Sequence, residues 1–398
     1  MKFFDVCIIG GGASGCMAAV LLAQKNVNVC VVDRFDKPAK KLLVTGNGKC
    51  NITNLNMTSN FYNQNIDSFL KLFNLKSTIN FFKNMGLDIY ADEEGRCYPI
   101  SNSAKSVQHC FINQFEKLNI NFFNNSTVND VDIEGDNYIV YFDEQKVFCK
   151  QVIFACGLNE FSLKILNKFN IKYNDVVPSL VALKTKQNTK KLDGIRISNV
   201  KVSAFCNDQT MIESGEILFK DNGISGICIF NLSSLFAKNK CFLGEISINL
   251  LKKYSNSQIF KMINEKLHIF TTMQSLLESM FYKEVAKEIL LRANVNLETL
   301  CKDIEDYQIK NIINIITNFN FDIIGHYQNN QVQGGGVNLQ YLDDNLQNIN
   351  SKGMFFCGEI CDIDGVCGGY NLQWAWTSAF LVANSIKKDK KFKLIDTN

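Results

Sequence analysis

A glycine-rich turn near the start of the chain is the feature that most restricts its fold. Gly10, Gly12 and Gly15 form the pattern G-x-G-x-x-G. The turn follows a predicted strand at residues 5–9 and opens a predicted helix at residues 16–25. Glycines at this spacing allow a tight turn and let a pyrophosphate approach backbone N–H groups at the helix N-terminus. The pattern therefore predicts a βαβ unit that binds a dinucleotide.

An acidic residue completes this pattern. A second predicted strand, residues 27–32, leads directly into Asp33. A carboxylate at this position is expected to accept hydrogen bonds from the adenosine ribose. It favours a free 2′-hydroxyl, as in FAD or NAD, over the 2′-phosphate of NADP.

The C-terminal part of the chain separates FAD from NAD. The run FFCGE at residues 355–359 looks like a strand-Gly-acid motif that holds a ribityl chain. The run GGYNLQWA at 368–375 predicts a glycine turn into a helix that starts near Asn371. The first N–H groups of such a helix are expected to face the pyrimidine edge of a flavin. The alternative is a plain strand-turn-helix connection; we favour the flavin, and hence FAD.

The chain divides into three blocks by composition. Residues 1–185 and 331–398 contain the glycine turns and the motifs above, so they are predicted to form one α/β domain. Between them, residues 186–255 with 320–330 have strand-like patterns and turn signals. Residues 256–319 have helical periodicity and little glycine. The middle of the chain is therefore interpreted as an insertion, a small β domain with a helical appendage.

Composition and charge exclude several classes of protein. The 42 Lys and Arg residues nearly balance the 39 Asp and Glu residues, so any contact with a nucleic acid must come from a local basic patch. The 15 cysteines are odd in number and scattered, which predicts a reduced, cytoplasmic protein. No apolar run reaches the length of a membrane span, and the wide spacing of the three histidines argues against a metal site.

Longer segments of the chain resemble the BaiN/YhiN family of FAD flavoproteins. Residues 44–54, VTGNGKCNITN, resemble the family segment SGGGRCNxTN, and residues 95–101, GRCYPIS, resemble GRxFPxS. Residues 215–226 are similar to GExLFTxxGxSG, and residues 358–376 are similar to GExLDxDGxxGGYNLQxAW. The resemblance covers nearly the whole chain. Departures include Lys49 in place of the usual Arg, which keeps the charge but loses bidentate geometry.

The resemblance implies a Rossmann-like FAD-binding domain interrupted by a β-barrel-like domain and a small helical domain. It also implies a set of FAD contacts spread over the turn, the following loop and the C-terminal motif. Together, the contacts implied by the resemblance and the contacts predicted from the motifs give one set of expected FAD contacts. They are Gly10, Gly12, Ser14, Gly15, Asp33, Arg34, Lys41, Thr45, Gly46, Val128, Gly358, Glu359, Asn371 and Leu372.

The resemblance further implies hydride delivery from reduced flavin to an activated carbon–carbon double bond. Family members are associated with reduction of steroid-like alkenes or with dihydrouridine formation in ribosomal RNA. We favour uridine in ribosomal RNA as the substrate, with NADH or NADPH as a transient electron donor. The alternatives are a small unsaturated or amine-bearing metabolite, and a non-enzymatic RNA-binding protein that FAD only stabilises. The sequence sets no oligomeric state.

Uridine reduction needs a proton donor and groups that hold the base and its phosphates. Cys50, in the loop that resembles the family, is the first candidate donor, and Cys367 is its competitor. A buried structural thiol is the alternative for each. Lys49, Arg96 and Tyr370 are expected to contact the substrate, and Lys40 and Lys41 extend the candidate phosphate-binding patch; ordinary surface charge and aromatic packing are the alternatives.

A flavin disulfide reductase is a poor fit to the sequence. Such enzymes pair two closely spaced cysteines near the flavin and carry a second nucleotide-binding fingerprint. No C-x-x-C or C-x-x-x-x-C occurs, and no later G-x-G-x-x-G has the required strand and helix around it. Any NADH or NADPH is therefore expected to bind only transiently.

Overall fold

The computed structural model describes residues 2–328 and 332–387. The chain forms two compact units: Met1–Val176 together with Gln333–Asn398, and Val177–Val332. The chain leaves the first unit within one strand, Tyr173–Ser179, and returns within another, Val332–Val337. The predicted domain boundaries stay predictions; the units themselves divide at these two strands.

The first part of the chain supplies most of the first unit. Its strands are β1 (Lys2–Ile9), β2 (Val29–Val32), β3 (Thr53–Asn54), β4 (Ile89–Ala91), β5 (Arg96–Pro99), β6 (Asn121–Phe123), β7 (Val128–Glu134), β8 (Asn137–Phe142), β9 (Gln145–Phe154) and β10 (Tyr173–Ser179). Its helices are α1 (Ala13–Gln24), α2 (Asp67–Leu72), α3 (Leu75–Asn84), α4 (Ala104–Lys117) and α5 (Glu160–Lys168). A run of 3-10 turns occupies Lys40–Gly48.

The second unit follows, and the chain then returns to the first. The middle strands are β11 (Leu183–Thr185), β12 (Arg196–Cys206), β13 (Gln209–Lys220), β14 (Gly223–Ser225), β15 (Gly244–Asn249) and β16 (Phe319–His326). The middle helices are α6 (Ile227–Lys238), α7 (Asn256–Asn264), α8 (Met273–Glu278), α9 (Lys283–Arg292) and α10 (Asp306–Thr317). The last elements are β17 (Val332–Val337), β18 (Met354–Phe356) and α11 (Tyr370–Ser385).

A seven-stranded sheet organises the first unit. Its order is β6-β2-β1-β9-β8-β7, with β18 beside β9. Four strand pairs in this sheet are parallel: β6 with β2, β2 with β1, β1 with β9, and β9 with β18. Strand β2 is buried along its whole length, as expected for a parallel strand that is covered on both faces. Parallel pairing brings the carboxyl ends of β1, β2 and β9 to one edge, where Ile9 pairs with both Val32 and Phe154.

The first and last helices pack together on this sheet. α1 contacts α11, and Lys25 at the end of α1 donates a hydrogen bond of 2.9 Å from its ammonium to the carbonyl oxygen of Ala383. Both helices are rich in buried small and apolar residues. The core of the unit therefore needs both ends of the chain.

A closed barrel forms the centre of the second unit. Its strands follow the order β11-β14-β13-β12-β15-β16, and β16 pairs with β11 to close it. Strand β16 shows the expected alternation, with Phe319, Phe321 and Ile323 buried and the residues between them exposed. In the helical part, Ile309, Ile312, Ile313 and Ile316 of α10 lie on one buried face at helical spacing.

The predicted fold class is confirmed, with local differences. The first helix begins at Ala13, three residues earlier than predicted, because the glycine turn itself supplies its first turn. Helices α2 to α6 were not predicted.

Among the described residues, no helix combines the length and the apolar character that a membrane crossing requires.

Candidate active site

The glycine turn after β1 is held by contacts that exclude side chains. Gly10 has a φ of +103°, and a Cβ there would lie 2.6 Å from the carbonyl oxygen of Ala155 at the end of β9. A Cβ on Gly15 would lie 1.9 Å from the carbonyl oxygen of Gly10. These two glycines therefore let the turn pack against the sheet and against α1.

Gly12 differs from its neighbours because its missing side chain would face open space. No atom lies within 4 Å of the position that its Cβ would take. It is the N-cap of α1, and no side chain caps the helix there. The first N–H groups of a helix have no partner within it and favour negative charge. This is the open cradle that a pyrophosphate requires.

Asp33 lies at the end of β2 beside this cradle. Its Oδ2 accepts a hydrogen bond of 2.5 Å from the backbone N–H of Gly11, and its Oδ1 accepts one of 2.7 Å from that of Phe35. Each carboxylate oxygen retains a free lone pair for a ribose hydroxyl. The side chain is thus fixed in place for the contact predicted from the sequence. Arg34 is exposed, with its guanidinium 5.1 Å from the centroid of the Phe35 ring.

The Gly-Glu motif after β18 meets the first turn of α1. Gly358 has a φ of +77°, and a Cβ there would lie 2.5 Å from Oγ of Ser14, whose hydroxyl donates to the carbonyl oxygen of Cys357. Glu359 accepts from Lys41 at 3.0 Å and from the backbone N–H of Gln333 at 3.0 Å. The two motifs, about 340 positions apart by sequence numbering, thus form one surface.

The N-terminus of α11 lies against the loop that precedes β3. Gly369 has a φ of +97°, and a Cβ there would lie 2.6 Å from the carbonyl oxygen of Thr53. The indole N–H of Trp376 donates to the carbonyl oxygen of Ile52 at 2.9 Å. The side chain of Asn371 bonds both the N–H and the carbonyl of Gly365, at 2.9 and 2.8 Å. Asn371 therefore shapes the preceding loop, and no side chain caps the start of α11, whose first N–H groups have no acceptor within the helix.

The loop of residues 45–51 contains an unsatisfied acceptor. Oδ1 of Asn51 is buried, and no donor reaches it within residues 2–328 and 332–387. It lies 2.8 Å from the position that a Cβ of Gly369 would take, so it sits beside the start of α11. Thr45 and Gly46 shape this loop: the Thr45 hydroxyl donates to the carbonyl oxygen of Leu42 at 2.6 Å, and Gly46 has a φ of +54°. Sequence reasoning did not single out Asn51.

Two further predicted FAD contacts are part of the packed core or its rim. Val128, on β7, is 8% exposed, and Leu372 is half-buried against the hydrophobic core. Neither presents a polar group.

Most of the predicted phosphate-binding side chains are paired with carboxylates. Lys40 bonds Asp36 at 2.5 Å, and Lys41 bonds Glu359 at 3.0 Å. Arg96 bonds both Asp92 and Glu94, each at 2.7 Å. Lys49 is exposed and forms no salt bridge with any residue that the structure describes. The local charge here is therefore much smaller than the sequence pattern suggested.

The two candidate proton donors differ in accessibility. Cys50 has no exposed surface. Burial raises the pKa of its thiol to about 12, against a smaller effect of the Thr45 side chain. Cys367 is partly exposed; burial raises the pKa of its thiol to about 11, against an opposing effect of Arg96. Both thiols are protonated at neutral pH, and of these two residues only Cys367 has exposed surface.

Tyr98 lies near Cys367 and Arg96. Burial raises the pKa of the Tyr98 phenol to about 12, with Arg96 acting in the opposite direction and Cys367 adding to the rise. Its hydroxyl is therefore a hydrogen-bond donor at neutral pH. Tyr98 lies in the segment at residues 95–101 that resembles the family, and it is not among the substrate contacts expected from the sequence.

Tyr370 is enclosed by aromatic neighbours. It is 5% exposed, and its ring centroid lies 4.7 Å from that of Phe61 and 6.0 Å from that of Tyr62. The Tyr62 hydroxyl donates to the backbone oxygen of Tyr370 at 2.8 Å. Phe61 is 37% exposed and so offers an aromatic face that the sequence pattern gave no means of finding.

No cluster of three His, Cys, Asp or Glu side chains suited to a metal occurs in the part of the chain that is described.

Comparison with known proteins agrees with this arrangement. A family profile described as "HI0933-like protein Rossmann domain" matches residues 4–385. The chain belongs to the HI0933-like family. The predicted family membership is thereby confirmed, because this family corresponds to the BaiN/YhiN proteins.

Two relatives match this chain over almost their full length. A "3-dehydro-bile acid delta(4,6)-reductase" of Clostridium scindens is 29% identical over 402 residues, covering 95% of this chain and 98% of the relative. A "Ribosomal RNA dihydrouridine synthase" of Haemophilus influenzae is 26% identical over 412 residues, covering 97% and 99%. Among solved structures, the open conformation of a flavocytochrome c3 fumarate reductase is similar, with 12% identity, coverage of 96% and 78%, and a TM-score of 0.49.

This HI0933-like protein is an FAD-dependent oxidoreductase. The residues present fit the cofactor: Gly12 leaves the cradle open, Asp33 is fixed with spare lone pairs, and Asn51 presents a buried acceptor. The predictions of a flavoprotein and of an enzyme are confirmed.

Proposed function

We propose that this enzyme reduces uridine to dihydrouridine in ribosomal RNA, with NADH or NADPH as the electron donor. The observation that supports it best is a pair of protonated side chains near Arg96: Cys367, in the segment that leads into α11, and Tyr98, on β5. A relative named as a ribosomal RNA dihydrouridine synthase matches over nearly the full chain and supports the choice of substrate.

The proposed reaction adds one hydride and one proton across the C5–C6 double bond. When bound, reduced FAD supplies a hydride to an alkene carbon that is β to a carbonyl, here C6. The Cys367 thiol gives its proton to C5, and water returns a proton to the thiolate. The Tyr98 hydroxyl donates a hydrogen bond to a uracil carbonyl oxygen as negative charge builds there. One NADH or NADPH is oxidised for each uridine reduced.

Cys367 is preferred to Cys50 as the proton donor because of access. A group that transfers a proton to carbon must touch the substrate. Cys50 has no exposed surface and lies inside the loop, where its φ of +60° and its neighbours Thr45 and Asn51 give it a structural role. Cys367 keeps part of its surface open and has a raised pKa, which keeps the proton available.

Nucleoside mass spectrometry of ribosomal RNA tests the proposal. Purified enzyme with FAD and NADH or NADPH is expected to form dihydrouridine in ribosomal RNA from cells that lack the gene. Cys367→Ala is expected to abolish product while NADH or NADPH still reduces the bound flavin. Cys241→Ala, at another partly exposed cysteine in the other unit, is the matched control and should retain full activity.

Two results would contradict the proposal. The first is ribosomal RNA whose dihydrouridine content is the same with and without the gene. The second is Cys367→Ala with unchanged product formation, which would remove Cys367 from the chemistry while leaving the reductase assignment in place.

A small unsaturated carbonyl compound is the second candidate substrate. The similarity to a bile acid reductase favours it, and so does the exposed ring of Phe61, which suits a flat apolar ring. Reoxidation of the NADH-reduced enzyme by steroid enones, with no dihydrouridine formed in RNA, would select this candidate.

A further inference from the structure

The barrel of the second unit carries a cluster of basic side chains that the sequence analysis did not identify. Lys184 on β11 and Lys220 on β13 both pair with Gly223, which lies between them on β14. Residues paired across neighbouring strands project to the same face of a sheet. Their chain neighbours Leu183 and Phe219 are buried inside the barrel, so the two lysines project outward.

The ring of Tyr327 lies over Gly223 between these lysines. A Cβ on Gly223 would lie 2.6 Å from Cε2 of Tyr327, so only glycine leaves room for the ring. The ammonium nitrogens of Lys184 and Lys220 lie 5.6 and 5.0 Å from the ring centroid. The Tyr327 hydroxyl donates to the backbone oxygen of Asp221, which fixes the ring. One aromatic ring therefore holds two ammonium groups by cation–π attraction.

Three more exposed lysines adjoin this pair: Lys186, Lys190 and Lys191. The Thr189 hydroxyl connects their segment to the 220–223 turn, since it donates to the backbone oxygen of Lys220 at 2.8 Å and accepts from the N–H of Gly223 at 2.8 Å. We call these five lysines and Tyr327 the Tyr327 cluster.

The lysines of the Tyr327 cluster are not neutralised by salt bridges. Within residues 2–328 and 332–387, none of the five has a carboxylate at salt-bridge distance. The charges of Asp193 and Asp221 help to raise the pKa of the Tyr327 phenol. The backbone N–H of Lys186 donates to the carbonyl oxygen of Asp322. Three aspartates therefore lie near the five lysines. By contrast, Lys40, Lys41 and Arg96 of the first unit are all paired.

Two ammonium groups held on one ring repel each other, and an anion between them would relieve that repulsion. Lysine is a point charge that suits the oxygens of a phosphate without demanding a fixed geometry. The whole chain is nearly neutral, so contact with a polyanion has to come from a local patch of this kind.

We propose that the Tyr327 cluster binds the phosphate backbone of RNA. The choice of RNA as the polyanion rests on the proposed function. Lys184 and Lys220 contact phosphates directly, while Tyr327 is a positioning residue that sets their spacing.

Binding of RNA to the full-length FAD-loaded enzyme tests this proposal. The probes are a fluorescein-labelled single-stranded RNA oligonucleotide and deproteinised ribosomal RNA, titrated at several salt concentrations. Lys184→Ala with Lys220→Ala is expected to weaken binding roughly tenfold at physiological salt. The slope of log affinity against log salt should fall by about one for each lysine removed. Lys184→Arg with Lys220→Arg should retain most of the affinity, because the charge is kept.

Matched variants separate a local effect from a change of net charge. Lys261→Ala with Lys310→Ala removes two exposed lysines from α7 and α10 of the same unit and should leave affinity and slope nearly unchanged. Tyr327→Phe keeps the ring but loses the hydrogen bond to Asp221, so it should retain most of the RNA affinity, whereas Tyr327→Leu should lose more. The proposal would be overturned if the Lys184/Lys220 and Lys261/Lys310 alanine variants lost the same RNA affinity. It would also be overturned if neither variant lost any.

The readouts also separate this proposal from the proposed function. Reduction of the flavin by NADH should be the same in all these variants. If the wild type binds RNA through the cluster and forms no dihydrouridine, the proposed reaction fails and the RNA-binding surface stands. If dihydrouridine forms and the Lys184 and Lys220 variants bind RNA as the wild type does, the reaction stands and the surface fails.

Discussion

The side-chain hydroxyl of Thr53 donates a hydrogen bond of 2.7 Å to Oε1 of Gln373, which lies 320 positions later in the chain. The Thr78 hydroxyl donates to the same oxygen at 3.0 Å, and Nε2 of Gln373 donates to the Thr377 hydroxyl at 3.0 Å. Gln373 has no exposed surface. This buried network fixes the start of α11 against the loop that carries Asn51.

Replacing Gln373 is expected to lower stability and cofactor affinity together. Gln373→Leu leaves the buried hydroxyls of Thr53 and Thr78 without their acceptor, at a cost of about 1–3 kcal/mol for each unsatisfied group. We expect the free energy of unfolding to fall by about 3 kcal/mol in urea titrations. Gln340→Leu, at an exposed position, is the control and should change it by less than about 0.5 kcal/mol. If Gln373→Leu and Gln340→Leu had the same free energy of unfolding, the hydrogen bonds of Gln373 would not contribute to stability.

Two glycines of the turn should respond differently to the same substitution. Gly12→Ala places a methyl group in open space, so the stability of the FAD-free protein should be unchanged while FAD binds at least tenfold more weakly, a loss of about 1.4 kcal/mol. Gly15→Ala places its methyl group against the carbonyl oxygen of Gly10, so the FAD-free protein itself should be destabilised. Thermal unfolding without FAD and fluorescence titration with FAD separate the two effects. Normal FAD affinity in Gly12→Ala would place the pyrophosphate elsewhere.

The Cys367 thiol should remain protonated well above neutral pH. Burial raises its pKa to about 11, so the proton-carrying form is complete below that pH and is lost as pH rises through it. Product formation should therefore not depend on this group between about pH 7 and 9. The rate of alkylation of Cys367 by iodoacetamide, followed by peptide mass spectrometry, should rise with a midpoint near pH 11, because the thiolate is the nucleophile.

Arg96 provides a check on that assignment. Its positive charge lowers the pKa of the Cys367 thiol, against the larger effect of burial. Arg96→Gln should therefore shift the alkylation midpoint to higher pH. A wild-type midpoint near the ordinary value of 9.0 would show that burial does not raise the pKa of the Cys367 thiol.

The Tyr98 hydroxyl should matter for turnover more than for binding. Tyr98→Phe keeps the ring and removes the donor, so kcat for dihydrouridine formation should fall about 100-fold with KM for RNA little changed. Tyr90→Phe is the control on the neighbouring strand β4, where the hydroxyl donates instead to Asn102 at 2.6 Å. Similar kcat values for the two variants would assign Tyr98 a packing role.

Local patterns predicted the dinucleotide half of the molecule well. The informative residues, Gly10, Gly12, Gly15 and Asp33, lie within one short stretch of the chain. A tight turn and a helix N-terminus depend mainly on residues that are close in sequence. The alternation in β16 and the helical spacing in α10 also gave the character of the middle segment. For these elements, sequence periodicity and burial agree.

The substrate side depends on contacts between distant positions, which no local pattern reveals. Arg96 and Lys41 appear as free cations in the sequence, and only the fold shows that Asp92 and Glu359 neutralise them. Cys50 and Cys367 look equivalent as thiols, and only packing separates the enclosed one from the accessible one. Lys184, Lys220 and Tyr327 come together because three strands of the barrel lie side by side.

The packing of α1 against α11 has a consequence for synthesis of the chain. The ribosome produces Gly10, Gly12 and Asp33 early, but the helix that covers α1 emerges only after the whole segment of Val177–Val332 has been made. The face of α1 that α11 covers therefore stays uncovered while the middle segment is being made. A chain released before residue 370 would present a folded barrel attached to an open sheet, which makes it a substrate for proteolysis rather than a partly active enzyme.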